Sequence, residues 1–135
     1  MADVFTKQQR SAVMRSVKGA DTQPELRVRR YLHALGFRYS LHAKDLPGKP
    51  DIVLVRWGTV VFVHGCFWHG HPGCPRSALP TTRREYWQEK IARNRKRDAR
   101  NARALRSAGW RVLTIWECRI CDERALAALA RRIEA

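Results

Sequence analysis

Val60-Val61-Phe62-Val63-His64-Gly65-Cys66-Phe67-Trp68-His69-Gly70-His71-Pro72-Gly73-Cys74 starts as an apolar, β-branched run and ends as a glycine-broken cluster of histidines and cysteines. The run over residues 60–64 reads as a buried strand. Three histidines and two cysteines follow in close succession, and these are the side chains zinc prefers. The strand supplies a rigid base, and the glycines let the loop fold back on itself.

Downstream, Thr82-Arg83-Arg84-Glu85 has the spacing of a capping box, with Thr82 as cap. A long basic helix is predicted from there to about Ser107, with Gly109 just past its end. Its inner stripe is Trp87, Ile91, Asn94, Asp98, Ala102 and Leu105. Asp98 is conspicuous on that stripe, because a buried acid needs a partner. Residues 110–116 read as a second strand, and Asp122 as the cap of a C-terminal helix with Leu126, Leu129 and Ile133 inward. Strand, helix and strand form a βαβ unit, which places the C-terminal strand ends side by side if the strands are parallel. Cys66 lies two residues beyond His64, and Cys118 two beyond Trp116. The topology therefore brings distant cysteines to one end of the sheet. Cys66, His71, Cys74 and Cys118 suit a closed structural zinc site, and so do Cys66, Cys74, Cys118 and Cys121. Spacing leaves both sets open.

Upstream, Thr22-Gln23-Pro24-Glu25 is a capping box, and Val28, Tyr31, Leu32 and Leu35 mark one face of a helix that stops at Gly36. Residues 37–41 alternate as a strand, residues 46–50 form a loop, and residues 51–55 read as another strand. Trp57-Gly58 would turn that strand antiparallel onto residues 60–64, bringing Asp51 near His64 and His69. A carboxylate there suits Mg²⁺ beside a phosphate, since Mg²⁺ takes one or two carboxylates and keeps several waters. His69, oriented by Asp98, would be the general base. Residues 1–20 read as a basic arm or helix, and residues 21–135 as the main domain.

The chain has 135 residues, enough for one domain with a real core. Its formal net charge of +15 points to a polyanion, with nucleic acid ahead of a membrane surface. No apolar run is long enough to span a bilayer, and no signal-peptide core opens the chain. The cysteines are therefore expected in a reducing cytosol, as metal ligands rather than disulfides. Phe67, Trp68 and Trp87, close to the candidate base, are candidates for a wedge that stacks on bases. Two readings compete here: a nuclease, and a zinc-stabilised DNA-binding protein without catalysis.

Pro50-Asp51, His64-Gly65-Cys66-Phe67-Trp68-His69 and Trp116-Glu117-Cys118 resemble the very short patch repair (Vsr) endonucleases of bacteria. The similarity runs from Ser11 and Met14-Arg15, through Asp21-Thr22 and Glu25, to the last strand. It implies a restriction-endonuclease-like α/β domain with a mixed central sheet flanked by helices. The implied activity is a Mg²⁺-dependent nick in one strand of duplex DNA, beside the thymine of a T:G mispair left by deaminated 5-methylcytosine. On the matching positions, Asp51 and the backbone carbonyl of Val63 would hold Mg²⁺, His69 and Asp98 would be the base and its orienting acid, and His64 and Glu25 would be further catalytic positions. Cys66, His71, Cys74 and Cys118 would be the zinc ligands. Met14 and Arg15 would contact DNA, alongside Phe67, Trp68 and Trp87 as read above from their place in the sequence. Phe62 and His64 stand where the general restriction-endonuclease pattern has an acid and a lysine. The implied setting is the bacterial cytoplasm, at the nucleoid, as a monomer with other mismatch-repair proteins as further candidate partners.

Overall fold

The computed structural model describes residues 22–135. The expectations for residues 1–20, including Met14 and Arg15, lie outside the described residues. Helix α1 (Gln23–Ala34) leads to strands β1 (Ser40–Leu41), β2 (Ile52–Leu54) and β3 (Thr59–His64). The long helix α2 (Arg84–Ser107), strand β4 (Arg111–Trp116) and helix α3 (Glu123–Glu134) complete the order. The sheet runs β1-β2-β3-β4, with the first two pairings antiparallel and β3–β4 parallel. This is the mixed sheet that the βαβ unit and the hairpin predict. Gly58 makes the hairpin turn at φ +57, a backbone region glycine enters freely.

Two apolar layers follow from the strand alternation. Ile52, Leu54, Val61, Leu113 and Ile115 pack with Val28 and Leu32 of α1 and Leu126, Leu129 and Ile133 of α3. Val53 and Val60 face the other way, onto Leu105 of α2, with Phe62 and Val112 beside them. The sheet thus lies between α2 on one face and α1 with α3 on the other. By the same period of two, Asp51 and His64 fall on the α2 face. That places them opposite Asp98.

Some boundaries differ from the sequence expectations. Thr22 caps α1 as expected, its side chain accepting from the Glu25 N–H, and Asp122 caps α3. Helix α2 instead begins after Arg83, in the left-handed region at φ +56, and Thr82 makes no cap. Leu35 is 54% exposed, because α1 ends before the chain turns back, and buried Phe37 fills the place expected of it. Strand β1 is reduced to Ser40–Leu41, since β2 offers a pairing partner only to these two residues.

Candidate active site

Asp51, Phe62, His64, Phe67, Trp68, His69 and Asp98 line one cleft of about 1230 Å³ among the described residues. Glu25 also lines it, and Lys44, Lys49, Lys90 and Arg97 bring positive charge to its walls. The cleft lies between the ends of β2 and β3 and the inner stripe of α2. Such a basic groove suits the phosphate backbone of a nucleic acid.

The histidine pair is tightly arranged. His69 Nδ1 lies 2.6 Å from Asp98 Oδ2, and the His64 ring stacks on the His69 ring with centroids 3.8 Å apart. Burial and the adjacent His69 push His64 down to about 4, so it is neutral at ordinary pH. Burial alone would raise Asp98, but the hydrogen bond and charge of His69 hold its carboxyl below the usual range. His69 Nδ1 is thereby fixed on Asp98, leaving Nε2 for the cleft. His64, His69 and Asp98 are also close enough to hold a metal ion together. The short His69–Asp98 bond suits the pair to proton transfer.

On the other side of the cleft, Asp51 Oδ2 accepts from the Val63 backbone N–H at 2.7 Å. Burial pushes the Asp51 carboxyl up to about 7; the Val63 bond opposes that rise, and neighbouring Glu25 adds to it. A divalent cation beside this part-buried acid would favour its ionised form. Glu25 is 2% exposed, accepting from His42 Nε2 and from Arg29. The side chain of His42 gives no signal in the sequence pattern, and its place beside Glu25 emerges only from the fold.

Beyond the cleft, the loop after β3 wraps into a second cluster. The ligand atoms of Cys66, His71, Cys74 and Cys118 all lie within 4.8 Å of one another. Burial, reinforced by hydrogen bonds with the Cys118 and Cys74 side chains, pushes the Cys66 thiol up to about 12. Three thiols and an imidazole, one thiol buried and the rest half-buried, have the chemistry of a structural zinc site. Cys121 is exposed and lies outside this group, so the geometry separates the two ligand sets that spacing leaves open. Ser77 Oγ donates to the carbonyls of His71 and Cys74, and Glu117 Oε1 accepts from Cys66 N–H.

The loop is locked against α2. Asn94 Nδ2 donates to the Trp68 carbonyl at 2.9 Å. Gly70 sits at φ +59, and an added Cβ would lie 2.6 Å from Ile91 Cγ2. Only glycine lets the loop pass that close to the helix. Phe67, Trp68 and Trp87 meet edge-on, with centroids 5.2 to 5.9 Å apart, and all three are part-buried. Trp116 joins the two clusters, stacking on His71 at 4.1 Å and meeting His64 edge-on at 5.3 Å.

A family model described as "DNA mismatch endonuclease Vsr" matches residues 2–75. The chain is 48% identical over 133 residues to "Type II nicking enzyme V.XorIIP" of Xanthomonas oryzae pv. oryzae, covering 98% of this chain and 97% of that one. It is 42% identical over 136 residues to "DNA mismatch endonuclease Vsr" of Escherichia coli, covering 99% and 86%. The chain belongs to the DNA mismatch endonuclease Vsr family. A Neisseria meningitidis relative, "Type II nicking enzyme V.NmeAIP", is 44% identical over 139 residues, covering 99% and 98%.

As a Vsr-family member the chain is a nuclease with a restriction-endonuclease-like α/β fold, as the resemblance implies. The reading as a DNA-binding protein without catalysis is set aside. No helix among the described residues is long and apolar enough to cross a membrane.

Proposed function

We propose that this Vsr-family chain nicks one strand of duplex DNA beside the thymine of a T:G mispair, with Mg²⁺ in the cleft and Zn²⁺ at the thiol cluster. The observation that carries the proposal is the meeting of Asp51, His64 and the His69–Asp98 pair in one basic cleft. Asp51 and the Val63 carbonyl would hold Mg²⁺, which when bound neutralises phosphate charge and lowers the pKa of a bound water.

The chain's own residues do the rest. His69 Nε2 takes a proton from the attacking water, and the ring, still bonded to Asp98 through Nδ1, carries the resulting positive charge. The water oxygen forms its bond to phosphorus as the phosphorus–oxygen bond to the leaving strand breaks. Neutral His64 offers its remaining N–H to a phosphate oxygen. The aromatic cluster at the cleft supports mispair recognition: inserting a ring costs a few kcal/mol of unstacking, and less where pairing is already weak. Met14 and Arg15 add DNA contacts from the arm in this reading. The protein acts as a monomer on the chromosome in the bacterial cytoplasm.

The test uses duplexes labelled on either strand and carrying T:G or T:A at one position, with Mg²⁺ or with chelator. A nick confined to the thymine strand of the T:G duplex, and to the Mg²⁺ samples, is expected. Equal cutting of T:A, or cutting in chelator, would overturn the proposal.

A further inference from the structure

His42 is absent from every chemical motif in the sequence, yet it links two acids that line the cleft. Its Nε2 lies 2.9 and 3.0 Å from the two Glu25 carboxylate oxygens, so the imidazole spans both. Its backbone N–H donates to the Asp51 carbonyl at 3.4 Å. One residue therefore grips the side chain of Glu25 and the main chain of Asp51. The backbone of His42 stands at φ +50, outside the usual regions for a side-chain-bearing residue. Such conformations persist where surrounding contacts fix them, often beside functional groups. Here the fixing contacts are the two acids. Arg29, one turn along α1, also holds Glu25, its Nη1 2.9 Å from Oε2, so the carboxylate is tied to both α1 and the residue after β1.

We propose that His42 is a positioning residue, clamping the Glu25 carboxylate beside Asp51 so that the two acids present a joint face to a divalent cation. Glu25 lies on α1 and Asp51 at the start of β2, and the carboxylates would repel one another if both were charged and unrestrained. The clamp fixes one of them at the expense of a strained turn. Partners that orient metal-binding groups in this way are worth about 10- to 100-fold in metal affinity. The proposal rests on the reading of Asp51 as the acid that holds the cation.

The measurement is Mn²⁺ binding to the intact protein without DNA, by calorimetry at one fixed pH, alongside nicking over a range of Mg²⁺ concentrations. His42→Asn keeps a residue tolerant of the left-handed backbone but is too short to reach Glu25. It should weaken Mn²⁺ binding about 10- to 100-fold and raise the half-saturating Mg²⁺ by a similar factor, with little change in rate at saturation. His42→Gln, whose amide can still donate to Glu25, should restore most of the affinity. Zinc content and thermal melting should match the parent chain in both. If the Asn variant does not melt cooperatively, His42→Gly, unstrained at φ +50, takes its place. Asp51→Ala separates the two levels. Parent-like Mn²⁺ binding in Asp51→Ala overturns the cation reading itself, whereas its loss there, with parent-like affinity in His42→Asn, overturns the clamp alone.

Discussion

The imidazoles of His64 and His69 lie face to face, with planes only 2° from parallel. Two positive charges on that stack would repel at close range, and burial already keeps His64 neutral. Of the two rings, only His69 is bonded to an acid, through Nδ1 on Asp98.

His69→Ala and Asp98→Ala should each slow single-turnover nicking by roughly 10²- to 10⁴-fold, the usual scale for a general base. The double variant should be little worse than either, because the two groups act as one. Turnover close to that of the parent in His69→Ala would remove the base assignment.

Asp51→Ala should abolish nicking while leaving DNA affinity largely intact, because affinity comes from the basic surface. The same acid sets a pH dependence. With its carboxyl pushed up to about 7, a proton competes with the cation below that pH. Apparent Mg²⁺ affinity should therefore fall about tenfold per unit as pH drops below about 7, and level off above it. Calorimetry in two buffers of different ionisation enthalpy should show a proton released on binding; a pH-independent affinity would refute this.

Cys118→Ala should remove zinc and cost upwards of about 4 kcal/mol, because metal binding is folding free energy at such a site. Cys121→Ser should retain full zinc content and melt like the parent, its thiol being exposed and outside the cluster. Metal analysis by mass spectrometry with thermal melts decides; full zinc content in Cys118→Ala would exclude that ligand.

Trp68→Ala tests the aromatic wedge. A lost base–aromatic stack costs about 1–3 kcal/mol, so binding to a T:G duplex should weaken by that amount, and binding to a fully paired duplex by less. Both titrations belong at one salt concentration, since the electrostatic contribution would otherwise hide the difference. An equal loss on the two duplexes, with zinc retained, would assign Trp68 to packing against Phe67 and Trp87 instead.

The sheet face and its two clusters were legible in the sequence because they rest on strong, local patterns. The β-branched run into His64, the helix stripe with Asp98 and the matched offsets of Cys66 and Cys118 each survive small errors of boundary. His42 was illegible for the opposite reason. It follows a strand of two residues, in a left-handed turn with no periodic signal, and its partner Glu25 comes from another element. The Cys121 question was likewise closed to spacing, since Cys118 and Cys121 fit a ligand pair on paper while the turn after β4 leaves Cys121 outside. Thr82 failed as a cap because an unseen left-handed residue, Arg83, intervenes.

The thiol cluster draws three of its ligands from one short loop and the fourth, Cys118, from beyond α2 and β4. During synthesis a ribosome therefore delivers an incomplete set, and it stays incomplete while the whole basic helix is made. Only when the last strand docks parallel to β3 can the ring of ligands close. The loop that carries His69 thus meets its partner from the last strand end only after Asp98 has already been built. A product cut short before Cys118 would keep the basic helix but lack one of the four side chains of the cluster.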